Sequence, residues 1–223
     1  MFVKNILLFL LVLSFFSCNS DDNEVIIIID DTAIYKVVFD ANWTAQTHPT
    51  NYPSNAHFSW MVGVTHNEQN LLFAKGLLAS AGIESMAETG ATDILAGEID
   101  LKILNNKALE YQIGNVINGN GLDELTINAS LEYPLYSWVS MIAPSPDWFV
   151  TNQNINLIVN DAWVERIELD VFLFDAGTDS GTDFTSPNND TNPRQPIFII
   201  SSPPLGNGLM VSPSVGKIII TKQ

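Results

Sequence analysis

Short apolar stretches separated by clusters of turn residues run through most of the sequence, and this pattern limits the possible folds. The turn clusters fall at residues 118–121, 144–147, 186–190 and 203–206. Many short strands with turns every 8–15 residues are typical of an antiparallel sandwich. One short helix is predicted over residues 83–89, closed by Gly90. The candidate strands are residues 26–29, 34–39, 58–64, 99–104, 125–131, 138–142, 155–159, 164–174, 197–200 and 217–221.

The charge of the chain is strongly one-sided. It has 25 acidic against 9 basic residues, a formal net charge of −16. Such a surface repels phosphate backbones and anionic lipid, which argues against nucleic-acid binding and favours cations as partners.

The N-terminus predicts export. Lys4 precedes a run of eleven residues, 6–16, that is apolar apart from Ser14, whereas a membrane-spanning helix needs roughly 20, so residues 1–17 are interpreted as a signal peptide. The only cysteine, Cys18, follows Ser17 as in a bacterial lipobox, which predicts lipidation of Cys18. The alternative is an ordinary secretory signal with an incidental cysteine.

The segment after Cys18 is polar and acidic, so residues 18–31 are predicted to form a flexible tether. Acidic residues in this place resemble the export signals of surface-exposed bacterial lipoproteins. The prediction is therefore a domain over 32–223, lipid-anchored in the outer membrane and facing the cell exterior, whose only contact with the membrane is the anchor at Cys18.

Aspartates in two loops suggest a metal site. Asp175, Asp179 and Asp183 are spaced four apart and interleaved with glycines, which disfavour a helix but allow loop oxygens to converge as Ca²⁺ requires. Asp147 lies 28 residues before Asp175, an interval long enough for one strand out and one back. The two loops are thus expected to meet at one end of the sandwich. The alternative is a set of solvated turn aspartates.

Several motifs resemble the spondin N-terminal domain family. The most specific are residues 141–148 (MIAPSPDW) and 175–181 (DAGTDSG), followed by SPN at 186–188. The resemblance implies an all-β, eight-stranded antiparallel β-sandwich similar to calcium-dependent membrane-docking domains. It also implies one Ca²⁺ on Asp147, Asp175 and Asp179, whereas Asp183 matches no metal position. The chain departs from the family before residue 175, because the cysteines that flank the preceding strand in the family are missing and NDAW stands at 160–163.

The family resemblance implies adhesion or recognition of an extracellular protein or glycan, without catalysis. A structural spacer and a secreted hydrolase are the alternatives, and no Gly-x-Ser-x-Gly motif supports the latter. A shared zinc site on His57 and His66 is disfavoured because a straight strand would hold them roughly 30 Å apart. The tryptophans are interpreted mostly as core, with Trp148 the one candidate for exposure beside the metal.

Overall fold

The computed structural model of the protein describes residues 29–223. The predicted signal peptide, the lipidation site at Cys18, most of the tether and nearly all of the candidate strand 26–29 lie outside the described residues. The strands within the described part are β1 (Thr32–Ala41), β2 (His57–Phe58), β3 (Val62–His66), β4 (Ala108–Ile113), β5 (Ile117–Asn118), β6 (Leu122–Ser130), β7 (Leu135–Ala143), β8 (Trp148–Asn156), β9 (Ile158–Val159), β10 (Ala162–Trp163), β11 (Arg166–Asp170), β12 (Phe172–Asp175), β13 (Phe198–Ile199) and β14 (Gly216–Lys222).

Two antiparallel sheets form the sandwich. The first has four strands in the order β11-β14-β1-β6. The second has eight, with β13-β12-β8-β7-β2-β5 in order and β3 joining β7 to β4. β1 shows the alternation that its sequence predicts, since Tyr35, Val37 and Phe39 are buried while the residues between them are more exposed. The predicted all-β sandwich is confirmed.

The eight-stranded sheet is covered on both faces, which explains why β7 is buried along its whole length. On one side Tyr136 and Trp138 pack against the four-stranded sheet in the larger apolar cluster. On the other side Val139 and Met141 join a second cluster with two helices, α1 (Ala81–Thr89) and α2 (Asp93–Leu104). The protein therefore has a third, helical layer.

Helix α1 confirms the predicted helix and its cap. The Ser80 side chain accepts a hydrogen bond from the Ile83 N–H at the start. At the end Gly90 has φ +73° and donates its N–H to the Met86 carbonyl, as a left-handed cap does.

The strand predicted over residues 99–104 is wrong, because this segment is the second half of α2. Apolar residues at 99, 101 and 103 imitate the alternation of a strand. Helical spacing prevails because Leu95 and Ile99, one turn apart, are buried in the second apolar cluster, and Ile103, one further turn on, packs against it. Leu101 and Leu104 are left exposed.

The two ends of the sandwich are clearly distinct. At one end, the carbonyl oxygen of Asp30 accepts a hydrogen bond from the Trp163 indole N–H. Strand β1 begins at this end. The ten residues of β1 then span roughly 30 Å at 3.3 Å per residue. At its far end Trp43 contacts Phe184, which in turn contacts Trp148 beside Asp147. The described chain thus starts at the end opposite to Asp147.

His66 is a structural histidine held neutral at the end of β3. Its Nδ1 lies 2.8 Å from the Glu68 carbonyl oxygen, so Nδ1 carries the proton and Nε2 accepts from the Ser137 hydroxyl, also at 2.8 Å. The side chain has no exposed surface, and burial lowers the pKa of His66 to about 4. Its role is packing and hydrogen bonding, as its environment requires.

We expect the contribution of His66 to the free energy of unfolding to fall as the pH drops from about 6.5 towards 4. Over this window the unfolded state binds a proton at His66 that the folded state excludes, with a loss of at most about 3 kcal/mol. Urea unfolding in the presence of chelator at pH 7, 6 and 5 measures this change in the free energy of unfolding. His66→Gln should be less stable than the wild type at neutral pH, and acidification should narrow this difference in the free energy of unfolding. An equal pH dependence in both proteins would contradict the assignment.

Candidate functional site

Two loops meet at the far end of the sandwich, as predicted. One joins β7 to β8 and carries Asp147, and the other begins at Asp175, the last residue of β12, and carries Asp179. The Ala176 N–H donates to the Asp147 carbonyl at 3.1 Å, so backbone hydrogen bonding joins the loops directly.

Asp147 lies at the centre of this junction and has no exposed surface. Its Oδ2 accepts hydrogen bonds from the backbone N–H groups of Thr178 and Asp179, at 2.7 and 3.0 Å, and from the Thr178 hydroxyl at 3.3 Å. Its Oδ1 is equally buried and finds no partner among the described residues. A buried carboxylate oxygen without a partner is costly, and it is a ready ligand for a cation.

Asp175 is half-buried beside Asp147. Its Oδ1 accepts the Gly177 N–H at 2.8 Å, and its Oδ2 accepts the Trp148 indole N–H at 3.1 Å. Trp148 is only 5% exposed, which contradicts the suggestion that it could reach a ligand. Its indole instead orients the Asp175 carboxylate.

Asp179 organises the second loop. Its Oδ1 accepts the Gly181 N–H at 2.7 Å and its Oδ2 accepts the Asn189 N–H at 3.0 Å. Across residues 29–223, no three acidic, histidine or cysteine side chains are already arranged around one common point as a metal would hold them. The structure brings the three predicted aspartates together, and metal binding by them stays a prediction.

The electrostatics of the site oppose full ionisation. Burial and the neighbouring Asp147 charge raise the pKa of Asp175 to about 7. Burial, with a smaller contribution from Asp179, also raises the pKa of Asp147 despite its hydrogen bonds. One proton or one cation relieves this repulsion.

Thr178 also belongs to the site, although it was not singled out from the sequence. Its hydroxyl donates to Asp147 Oδ2 at 3.3 Å, and Glu88 of α1 lies near enough to feel the charges of Asp147 and Asp179. Burial raises the pKa of Glu88, and the charges of Glu84, Asp147 and Asp179 raise it further. No motif marks Glu88, because its proximity results only from the docking of α1 on β7 and β8.

A cavity of about 250 Å³ opens onto the site from the solvent side. Asp175, Gly177, Asp179 and Gly181 form part of its lining, together with Phe198. Phe198 and its neighbour Ile199 are 44% and 40% exposed. The acidic loops therefore lie next to accessible apolar surface, a combination that suits ligand contact.

Comparison with known proteins identifies the family. The family model for Spondin_N matches residues 33–206, which include all three aspartates and Glu88. The chain belongs to the spondin N-terminal domain family. This spondin domain is 32% identical to human Spondin-2 over 175 residues, which are 76% of this chain and 53% of that protein. It is also 32% identical to mouse Spondin-1 over 179 residues, 77% of this chain and 22% of that protein.

The spondin domain thus spans about half the length of Spondin-2 and less than a quarter of Spondin-1. Neither helix within residues 29–223 has the length and hydropathy that crossing a bilayer requires.

Proposed function

We propose that this protein is a calcium-binding adhesion module, anchored in the bacterial outer membrane by a lipid on Cys18 and facing the exterior. The observation that carries the calcium site is Asp147, a fully buried carboxylate with one oxygen that finds no partner within residues 29–223, placed beside Asp175 and Asp179. Hard carboxylate and loop oxygens are the ligands that Ca²⁺ prefers. Bound calcium would neutralise the loops and hold them together, in a domain without disulfides.

The position of the site supports a partner outside the cell. The described chain begins at the end of the sandwich opposite to Asp147, roughly 30 Å away along β1. A tether leaving that end directs the acidic loops and the exposed Phe198 away from the membrane. This arrangement fits recognition of an extracellular protein or glycan better than docking of the loops on the protein's own membrane.

Calorimetric titration of Ca²⁺ into the chelator-stripped protein, with thermal melts at matching points, tests the calcium site. We expect saturable binding at one site and a melting temperature that rises with calcium, because a ligand specific for the folded state stabilises it. Asp175→Asn should weaken calcium binding at least tenfold. Unchanged affinity in Asp175→Asn would rule out Asp175 as a ligand. No calcium binding by the wild-type protein would mean that the loops are acidic turns and not a calcium site.

A structural spacer is the second proposal, and it predicts calcium-dependent stability without any ligand. A glycan array and binding to intact cells, each with and without calcium, separate the two. No binding in either assay, with or without calcium, would favour the structural spacer. A screen for hydrolase activity with and without chelator tests the third alternative, for which we expect no turnover.

A further inference from the structure

Helix α2 is apolar on two opposite faces. On the inner face, Leu95 and Ile99 are buried in the second apolar cluster and Ile103 packs against it. The outer face lies about 180° further around the helix at 3.6 residues per turn and points away from the sandwich. A surface helix of a globular protein normally has one apolar and one polar face, so the outer face of α2 requires an explanation.

The outer face carries an apolar stripe along the whole helix. Its four positions follow one another at intervals of three, four and three residues, which is the spacing of a coiled-coil seam. They are Ile94, Gly97, Leu101 and Leu104, and we refer to them as the outer stripe. The three large side chains are 50%, 59% and 77% exposed, so residues 29–223 leave most of the outer stripe open.

Gly97 forms a hollow in the middle of the outer stripe. A Cβ atom added to Gly97 would meet no atom within 4 Å, so none of the described residues occupies the space above it. A glycine inside a helix costs stability relative to alanine, and close approach of another segment is one reason for a glycine. The outer stripe thus offers large side chains on both sides of a hollow that can receive one.

The outer stripe is complementary to itself in the antiparallel direction. Ile94 and Leu104 lie five residues to either side of position 99. Gly97 and Leu101 lie two residues to either side of the same position. When two copies of α2 pack antiparallel about this position, Ile94 meets Leu104 of the second copy, and Leu101 enters the hollow above Gly97 of the second copy. A parallel pair would place glycine against glycine and leave both hollows empty.

The charges beside the outer stripe also favour the antiparallel direction. Glu98 and Lys102 lie on one flank, where both line the same small cavity. In the antiparallel pair, Lys102 of each copy comes within about one helical turn of Glu98 of the other, so that opposite charges meet. Asp93 and Asp100 lie on the other flank, and Asp100 would approach its own counterpart. This contact and the net charge of −16 oppose association.

We propose that the outer stripe of α2 binds the same stripe of a second copy of this protein, as an antiparallel helix pair. Three large side chains per copy make a contact smaller than the standard interface of about 800 Å² per partner. We therefore expect a weak dimer, with a dissociation constant above about 1 μM. Added salt should strengthen the dimer because it screens the repulsion between two acidic chains. The proposal does not depend on the calcium site.

Sedimentation equilibrium in chelator, from roughly 1 μM to 1 mM protein, tests the proposal. Residues 19–223 contain the whole described fold and no cysteine, so this chain is used. We expect the mean mass of the wild type to rise with concentration towards that of a dimer. Leu101→Asp should weaken association about tenfold or more. Leu209→Asp is the control, because Leu209 is 90% exposed but lies outside α2, and it should leave association unchanged.

Gly97→Gln tests the hollow by itself. The added side chain should weaken association about tenfold or more because it fills the space that Leu101 of the second copy enters. Its melting temperature should equal or exceed that of the wild type, because glutamine is a better helix former than glycine. This combination of weaker association and undiminished stability distinguishes a lost contact from a damaged fold.

Disulfide cross-linking tests the direction of the helix pair. In a mixture of the variants Ile94→Cys and Leu104→Cys, disulfides between the two variants should form faster than disulfides within either one. Faster cross-linking of each variant with itself would overturn the antiparallel pair. A wild-type protein that stays monomeric at about 1 mM, or equal losses of association in Leu101→Asp and Leu209→Asp, would overturn the docking of two copies through α2.

Discussion

Replacing Asp147 by alanine should lower the free energy of unfolding by about 3 kcal/mol even in chelator. Its Oδ2 accepts two backbone N–H groups, from Thr178 and Asp179, which the substitution would leave buried without an acceptor. Asp147→Asn should behave in the opposite way. The amide oxygen can still accept both hydrogen bonds, and removing the charge relieves repulsion by Asp175 and Asp179.

Urea unfolding of the two variants, with and without calcium, measures these effects. In chelator Asp147→Asn should be at least as stable as the wild type, while Asp147→Ala is clearly less stable. The stabilisation that calcium gives the wild type, about 2.7 kcal/mol at a hundredfold excess over the dissociation constant, should vanish in both. Calcium stabilisation of Asp147→Asn equal to that of the wild type would contradict the assignment of Asp147 as a ligand.

Gly177→Ala should lower the free energy of unfolding by about 3 kcal/mol or more and weaken calcium binding at least tenfold. Gly177 has φ +74°, and an added Cβ would lie 2.1 Å from the Gln195 carbonyl oxygen. The left-handed conformation alone costs a non-glycine residue about 1–2 kcal/mol. The backbone clash adds to this, because it forces apart the two segments that position Asp175 and Asp179.

Gly76→Ala is the matched control. Gly76 has φ +87°, but an added Cβ there would meet no atom within 4 Å. We expect Gly76→Ala to lower the free energy of unfolding only by the conformational cost of about 1–2 kcal/mol, with calcium affinity unchanged. Chemical denaturation and calcium titration of both variants make the comparison. Equal, small effects in the two variants would show that the contact between Gly177 and Gln195 does not constrain the site.

Local patterns in the sequence are enough to predict the sandwich and the three aspartates. The alternation in β1 and the cap at Gly90 are each encoded by residues close together in the chain, so they can be identified without tertiary information. The strings PSPDW and DAGTDSG identify Asp147, Asp175 and Asp179 and their family. The interval between the loops also predicts correctly that they meet at one end.

Tertiary contacts decided the features that the sequence missed. The segment 99–104 has the alternation of a strand, and only the packing of Leu95 and Ile99 on the back of the sheet makes it helical. The burial of Trp148 depends on Phe184, which is distant in sequence. Likewise the last turn of α1 comes near the acidic loops only because α1 docks on β7 and β8. The sequence by itself determined the β-sandwich class and which loop carboxylates lie in its turns, because alternation and turn chemistry are local. Which further charges and rings surround those carboxylates depends on contacts between distant segments, and these exist only in the folded chain.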